Sequence, residues 1–174
     1  DVHGTVVIQV DDILEQGDEL HKSMIQKLRK RFRFGKYGTC KSKGGDVFNG
    51  RRIEQFEDFS GRISMEDYIT KKLQPIVPTK EQKKDKHRAC NVGEQRLLRA
   101  ATMTLMWVAK QMRADQIGPV SLLTRKICDA TVEDIVEICK MIDFMRKTKE
   151  MSIKITGIPV RDTIVAIFAD ASST

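Results

Sequence analysis

The polarity pattern of the chain changes period several times, and each change predicts an element. Residues 5–10 are apolar or β-branched apart from Gln9, which predicts a short buried strand. Asp11-Asp12 interrupts this run and Ile13-Leu14 resumes it, so two strands about a tight acidic turn are expected. Gly17-Asp18 then opens a helix. Leu20, Met24, Leu28 and Phe32 recur every fourth residue with Ile25 alongside, an amphipathic stripe that should end near Phe34-Gly35. Gly44-Gly45 introduces a hairpin with a first strand over 46–55, a turn holding 58–61 and a second strand over 62–65. Ser64-Met65-Glu66-Asp67 has the spacing to cap a helix carrying Tyr68, Ile69 and Leu73, which Pro75 and Pro78 stop.

The second half reads as helical. Residues 79–91 are polar and mostly charged, the pattern of a linker. A long helix is expected over about 94–112, with Leu97, Leu98, Ala101, Leu105 and Val108 inward, and Met103, Met106 and Met112 filling the core around Trp107. Gly118-Pro119 marks a break before a short helix that runs to Lys126. Thr131-Val132-Glu133-Asp134 starts a third helix, with Val132, Ile135, Val136, Cys139 and Ile142 on one face. After Lys147 the period becomes two. Met151, Ile153 and Ile155 alternate with Ser152, Lys154 and Thr156 as on a half-buried strand, and 163–168 suits its antiparallel partner. The fold class is therefore α+β, without an internal repeat.

Composition narrows the function classes. The chain has 174 residues, 40% of them hydrophobic, which suits one domain or two small ones. Four prolines and 11 glycines exclude a collagen-like chain. No apolar run is long enough to cross a bilayer, so no membrane partner is expected. Thirty-one Lys and Arg against 24 Asp and Glu leave a net charge of +7, which makes nucleic acid the first partner to consider. Cys40, Cys90, Cys128 and Cys139 form no CxxC pair, and no leader segment is visible. Reduced thiols in an intracellular protein are expected. His87 and Cys90 have no second pair to complete a tetrahedral zinc site.

Two features could carry chemistry. Adjacent carboxylates at Asp11 and Asp12 repel each other, which is tolerable in a turn facing water or beside a divalent cation. Mg²⁺ takes one or two protein carboxylates and fills its other positions with water and phosphate oxygens. The spacing alone fits either an ordinary Asp-rich turn or a metal seat. The second feature is the run Lys22, Lys27, Arg29, Lys30, Arg31, Arg33, Lys36, Lys41 and Lys43, which contains no acid. Such a face can hold a phosphate backbone through counterion release, or stand solvated. Tyr37 could stack on a base, while Phe34 reads as core. His3 and His21 have no evident partner in the sequence, and no Gly-rich phosphate loop or nucleophile–base arrangement is present.

Taken in order, these pieces resemble the reverse transcriptase of copia-type retrotransposon polyproteins. Val6-Val7-Ile8-Gln9-Val10-Asp11-Asp12-Ile13-Leu14 is similar to that family's catalytic hairpin, with Gln9 where the family has Tyr. Asp18 and the basic helix ending in Arg31-Phe32 match the element that follows it. Phe48-Asn49-Gly50 with Ile53-Glu54 resembles the F-L-G hairpin that steadies the primer end. Residues 63–69 resemble the I-S-Q-x-x-Y-I that begins the thumb. Arg99, Leu105, Trp107, Ala109, Arg113, Asp115, Val120, Ser121, Leu122 and Leu123 follow the family's R…L-x-W-x-A…R-P-D…V-S-L-L order. Met103, Ala114 and Gln116 stand where the family has Gly, Pro and Ile. Phe168-Ala169-Asp170-Ala171-Ser172 looks like the first strand of the ribonuclease H domain.

The resemblance implies a C-terminal palm segment over 1–65, thumb and connection over 66–148, and the start of a ribonuclease H sheet over 149–174. It implies Asp11 and Asp12 as polymerase metal ligands and Asp170 as a ribonuclease H ligand, for Mg²⁺ or its substitute Mn²⁺. Lys27, Arg29, Lys30, Arg31, Arg33, Lys36, Phe48 and Gly50 would contact an RNA or DNA template–primer. In the parent enzyme the other partners would be deoxynucleoside triphosphates and the remaining palm, fingers and ribonuclease H segments. The alternative is a non-catalytic nucleic-acid-binding module derived from a degenerate element. A polymerase site of this type needs a further Asp from an upstream strand that this sequence lacks. The purified 174-residue chain is therefore expected to give neither primer extension nor RNA cleavage in a hybrid. A gel-based assay with Mg²⁺ that detects either product overturns this.

Overall fold

The first apolar stretch folds as a two-stranded antiparallel ribbon, β1 (Gly4–Gln9) and β2 (Asp12–Gly17), in the computed structural model, which describes residues 1–157. Gln9 faces Asp12, so the turn is Val10-Asp11 rather than the acidic pair, and Asp12 belongs to the ladder. The expected burial of the first strand is not observed: residues 5–10 are exposed, Ile8 at 65%. A β-branched run specifies extended backbone, but burial depends on what packs against it. Here the helix that follows sets its His21 ring against Gly4 and Gly17 at the ribbon's open end and leaves the rest of β1 exposed.

That helix, α1 (Glu19–Arg31), starts where expected, with the Asp18 side chain accepting from the His21 backbone N–H at 3.0 Å. It stops earlier than expected. Phe32 is already extended, and residues 33–40 are irregular. Its apolar stripe is mostly outward: Leu20, Met24 and Phe32 are exposed, Ile25 and Leu28 half-buried, and His21 is the buried residue.

A second sheet has the order β3 (Asp46–Phe48), β4 (Arg51–Gln55), β5 (Gly61–Ser64) and β6 (Ser152–Ile155), all antiparallel. The single strand expected over 46–55 is two, because Asn49 and Gly50 both adopt positive φ, 50° and 75°. That pair is the favoured two-residue type I′ connection, whose twist matches the strands it joins. Ile153 faces Ile63, yet Met151, Ile153 and Ile155 are exposed and Ser152 is the half-buried residue, the reverse of the expected alternation. The partner expected for this strand, 163–168, and Asp170 lie outside the described residues.

The core is helical. α2 (Glu66–Lys72), α3 (Lys80–Lys84), α4 (Val92–Gln111), α5 (Ile117–Lys126) and α6 (Val132–Lys147) follow the second sheet's first three strands. Leu98, Leu105, Val108, Val120, Ile135, Ile138, Ile142 and Met145 interdigitate with Met65, Ile69 and Leu73 from the sheet–α2 junction. Most of the face expected for the long helix is inward, but Leu97 and Met103 are exposed. Val132, Ile135, Cys139 and Ile142 of α6 are buried as expected. Truncating such side chains costs about 2–5 kcal/mol each, so this cluster dominates stability.

Caps explain where the helices begin. Asn91 and Glu94 form a reciprocal capping box on α4, and Thr131 and Asp134 another on α6. The cap expected at Ser64 is absent. Ser64 is taken into β5, and the Asp67 carboxylate instead accepts from Arg52 of β4 at 2.9 Å. Residues 79–91 are not a free linker. They contain α3 and then run beside the start of α6, where Cys90 N–H donates to Ala130 and Val132 N–H to Arg88.

Arg113, buried among the ends of these helices, donates to both Asp115 oxygens at 2.9 and 2.8 Å and to Thr148 Oγ1 at 2.7 Å. It ties the end of α4 to the cap of α6. Its guanidinium holds the Asp115 carboxyl at about 2, below the ordinary 3.8. Arg88 likewise holds Glu94 at about 2, below the ordinary 4.5. Lowered folded-state values mean that both groups stabilise the fold above their ordinary range and lose that contribution as pH falls towards the lowered values. Urea midpoints should therefore fall between pH 4.5 and about 2, and Asp115→Asn with Glu94→Gln should flatten the fall. Arg113→Ala should cost about 2–3 kcal/mol at neutral pH, because it strips charge-assisted hydrogen bonds from a buried position.

Candidate metal and nucleic-acid site

The acidic tip is built on a strained turn. A two-residue loop joins β1 to β2, with φ positive at Val10 (57°) and not at Asp11, the sign pattern of a type II′ turn. Glycine is the residue that takes this conformation freely, and a β-branched side chain there costs about 1–2 kcal/mol. Backbone strain of this kind concentrates where geometry serves function. The consequence is that Val10 stands 90% exposed at the apex with Asp11, also exposed, beside it.

Asp12 is held differently. Its Oδ2 accepts the backbone N–H of Asn49 at 3.0 Å, so the first ribbon is fastened to the β3–β4 turn. Among the described residues, Asp12 Oδ1 and both Asp11 oxygens make no hydrogen bond. The two carboxylates are hard oxygen donors, as Mg²⁺ requires, and match the one or two that it takes from protein. Among the described residues, no cluster of three or more His, Cys, Asp or Glu side chains forms a metal cage.

The segment around Asn49 is a rigid bracket. Phe48 is buried and anchors β3, and a Cβ on Gly50 would lie 3.2 Å from the Tyr68 ring and 3.7 Å from Trp107 Nε1. Gly50 therefore permits both the turn and the close approach of α2 and α4. Phe48 acts on the site by packing.

The basic run divides into paired and free members. Lys22 pairs with Glu19 at 2.5 Å and Lys36 with Asp46 at 3.4 Å, acids that lie outside the run. Among the described residues no ion pair engages Lys27, Lys30, Arg31 or Arg33, and these stand exposed on α1 and just beyond it. Arg29 lies over the Tyr37 ring at 4.2 Å. Tyr37 in turn donates to Glu15 Oε1 at 3.0 Å, which pushes its hydroxyl pKa up. It is engaged within the fold rather than free for a base.

His3 and His21 both have partners that are distant in the sequence. His3 Nδ1 lies 2.8 Å from Asp18 Oδ2, and His21 Nε2 lies 2.8 Å from Glu15 Oε2. The His21 backbone N–H and then the His3 ring hold the Asp18 carboxyl below its ordinary value. Gly4 and Gly17 are cross-strand partners, and this register, which brings His3 and His21 to their carboxylates, is set by the fold and carries no spacing signal in the sequence.

Comparison with protein-family models, curated proteins and solved structures finds no significant match. The fold class is α+β, and no helix of the described residues is long and apolar enough to cross a membrane.

The strained turn has a direct check. Val10→Gly removes the Cβ that disfavours positive φ and should stabilise the ribbon by about 1 kcal/mol. Slower amide exchange at Gln9 and Asp12 would register this, and unchanged or faster exchange would exclude strain at Val10.

Proposed function

We propose that this chain is part of a template-copying nucleotidyl transferase of the reverse-transcriptase type, in which Asp11 and Asp12 supply part of a Mg²⁺ site. The observation that supports this most is the acidic tip itself. Asp11 stands exposed at the apex of a strained two-residue turn, without a partner among the described residues, and Asp12 is steadied by the Asn49 N–H. An incidental surface turn has no need of a β-branched residue at positive φ.

The residues divide the work. Asp11 and the free oxygen of Asp12 would hold the cation, with Mn²⁺ able to replace Mg²⁺. Such a cation, when bound, activates a primer hydroxyl and offsets charge on the leaving pyrophosphate. Lys27, Lys30, Arg31 and Arg33 would neutralise template–primer phosphates, with Arg29 and Lys36 beside them. The Lys36–Asp46 pair is a surface contact worth under about 1 kcal/mol, so a phosphate can displace it. The β3–β4 turn, with Gly50 at its corner, would face the primer strand near the carboxylates. Asp170 would serve a second carboxylate site in the ribonuclease H portion of the parent enzyme.

The test has a metal arm and a salt arm. Mn²⁺ titrated into ¹⁵N-labelled chain should broaden the amides of Val10, Asp11 and Asp12 first, and Asp11→Asn should abolish that selectivity. Affinity for an RNA–DNA hybrid, followed by fluorescence anisotropy, should fall steeply with salt. Reversing Lys27, Lys30, Arg31 and Arg33 to Glu should lower the log–log salt slope by roughly 3–4. Hybrid binding without selective broadening favours the non-catalytic module. A flat salt response removes the nucleic-acid assignment altogether.

A further inference from the structure

The ribbon that carries Asp11 and Asp12 exposes most of β1, so something other than a core must fix its direction. Its tip is fastened through Asp12 to Asn49. At its open end, Gly4 and Gly17 face each other across the ladder, and the His21 side chain of α1 lies against both. A Cβ on Gly4 would come within 2.3 Å of the imidazole, and one on Gly17 within 2.4 Å. The two glycines therefore form a slot that a single added methyl group would close.

The ring is buried in that slot and is held by a definite bond. His21 Nε2 donates to Glu15 Oε2 at 2.8 Å, while the other oxygen of that carboxylate accepts from Tyr37 at 3.0 Å. Arg29 covers the Tyr37 ring at 4.2 Å. Glu15 is thus a shared acceptor for the first turn of the basic helix and for the loop that follows it. Asp18 and His3 close the same end, with Asp18 capping the helix through the His21 backbone.

We infer that His21, seated in the Gly4–Gly17 slot and bonded to Glu15, is the positioning residue that fixes the acidic ribbon to the basic helix. It sets the direction of Asp11 relative to Lys27, Lys30, Arg31 and Arg33. His21 touches neither metal nor nucleic acid. It acts through Glu15 and the two strands, and the slot spends two side-chain positions on admitting one ring. The consequence for metal and template–primer binding rests on the function proposed above, whereas the latch itself does not.

The experiment compares wild type, His21→Ala, His21→Gln and Gly17→Ala in the full chain. Amide exchange reads the latch, and Mn²⁺ broadening at Val10 and Asp11 reads its consequence. His21→Ala should speed exchange across the β1–β2 ladder by about ten-fold or more while the amides of α4 and α6 keep their protection. Gly17→Ala should do the same by closing the slot from the other side. His21→Gln, whose amide can still donate to Glu15, should recover most of the protection and the selectivity of Mn²⁺ broadening. Unchanged ladder exchange in His21→Ala overturns the inference, as does equal loss of protection in α4 and α6. If ladder exchange responds as expected and wild type shows no selective broadening, the latch stands and the metal assignment falls.

Discussion

The Arg113 guanidinium sits where three chain directions are decided. It closes the end of α4, holds the Asp115 turn that leads into α5, and reaches the Thr148 cap where α6 ends. From that cap the chain turns back and lays β6 beside β5. The second sheet thus has its fourth strand only if α6 ends in the right place. Burying a guanidinium is favourable only with its hydrogen bonds made, and here Asp115 and Thr148 make them. Leu105, Val108, Ile138 and Ile142 belong to the large buried cluster, but hydrophobic burial is non-directional and would tolerate several helix arrangements. The directional bonds select one.

That selection reaches the acidic tip through a short series of contacts. The helical core supports Tyr68 and Trp107, which pack against the Gly50 corner of the β3–β4 turn. The same turn offers the Asn49 N–H to Asp12. The outer end of the first ribbon is therefore referenced to the core through the hydrogen bond from the Asn49 backbone N–H to the Asp12 carboxylate, and its inner end to α1 through His21. Neither contact is large. A net hydrogen bond is worth about 1 kcal/mol, and an exposed two-stranded ribbon has little stability of its own.

Residues that report on local conformation were readable in the sequence, and residues whose meaning depends on a distant partner were not. The starts of α1, α4 and α6 followed from Asp18, from the apolar period of 94–112 and from Thr131 with Asp134. The apolar face of α6 followed from spacing alone, because a full core surrounds it. The stripe of α1 has the same period but little to pack against, so Leu20 and Met24 face outward. Periodicity states which residues share a face and is silent about what covers that face. The Asn49-Gly50 turn was legible in principle, since Asn-Gly is a strong hairpin signal, but the β-rich residues on both sides masked it as one strand. The Asp11-Asp12 pair was visible at once. Its register was not, because the choice between a turn at Asp11-Asp12 and one at Val10-Asp11 depends on pairing between Gly4 and Gly17. The His21–Glu15 and Arg113–Thr148 contacts lie beyond any spacing rule.

The electrostatic layout gives the two weak contacts their significance. Asp11 and Asp12 place negative charge at one end of a ribbon whose other end meets a helix carrying Lys27, Lys30 and Arg31, which no ion pair engages among the described residues. Under the proposed function, a polyanion bound to Lys27, Lys30, Arg31 and Arg33 would reach the tip through a divalent cation shared between carboxylate and phosphate oxygens, because both would then coordinate the same centre. Sharing that cation would require the carboxylates and the basic face to keep a fixed relation, since a tip free to swing away could not hold it against a bound phosphate. A ring locked between two glycines at one end and an Asn49 N–H held by the Asp12 carboxylate at the other restrict this freedom. They leave the faces of the ribbon uncovered.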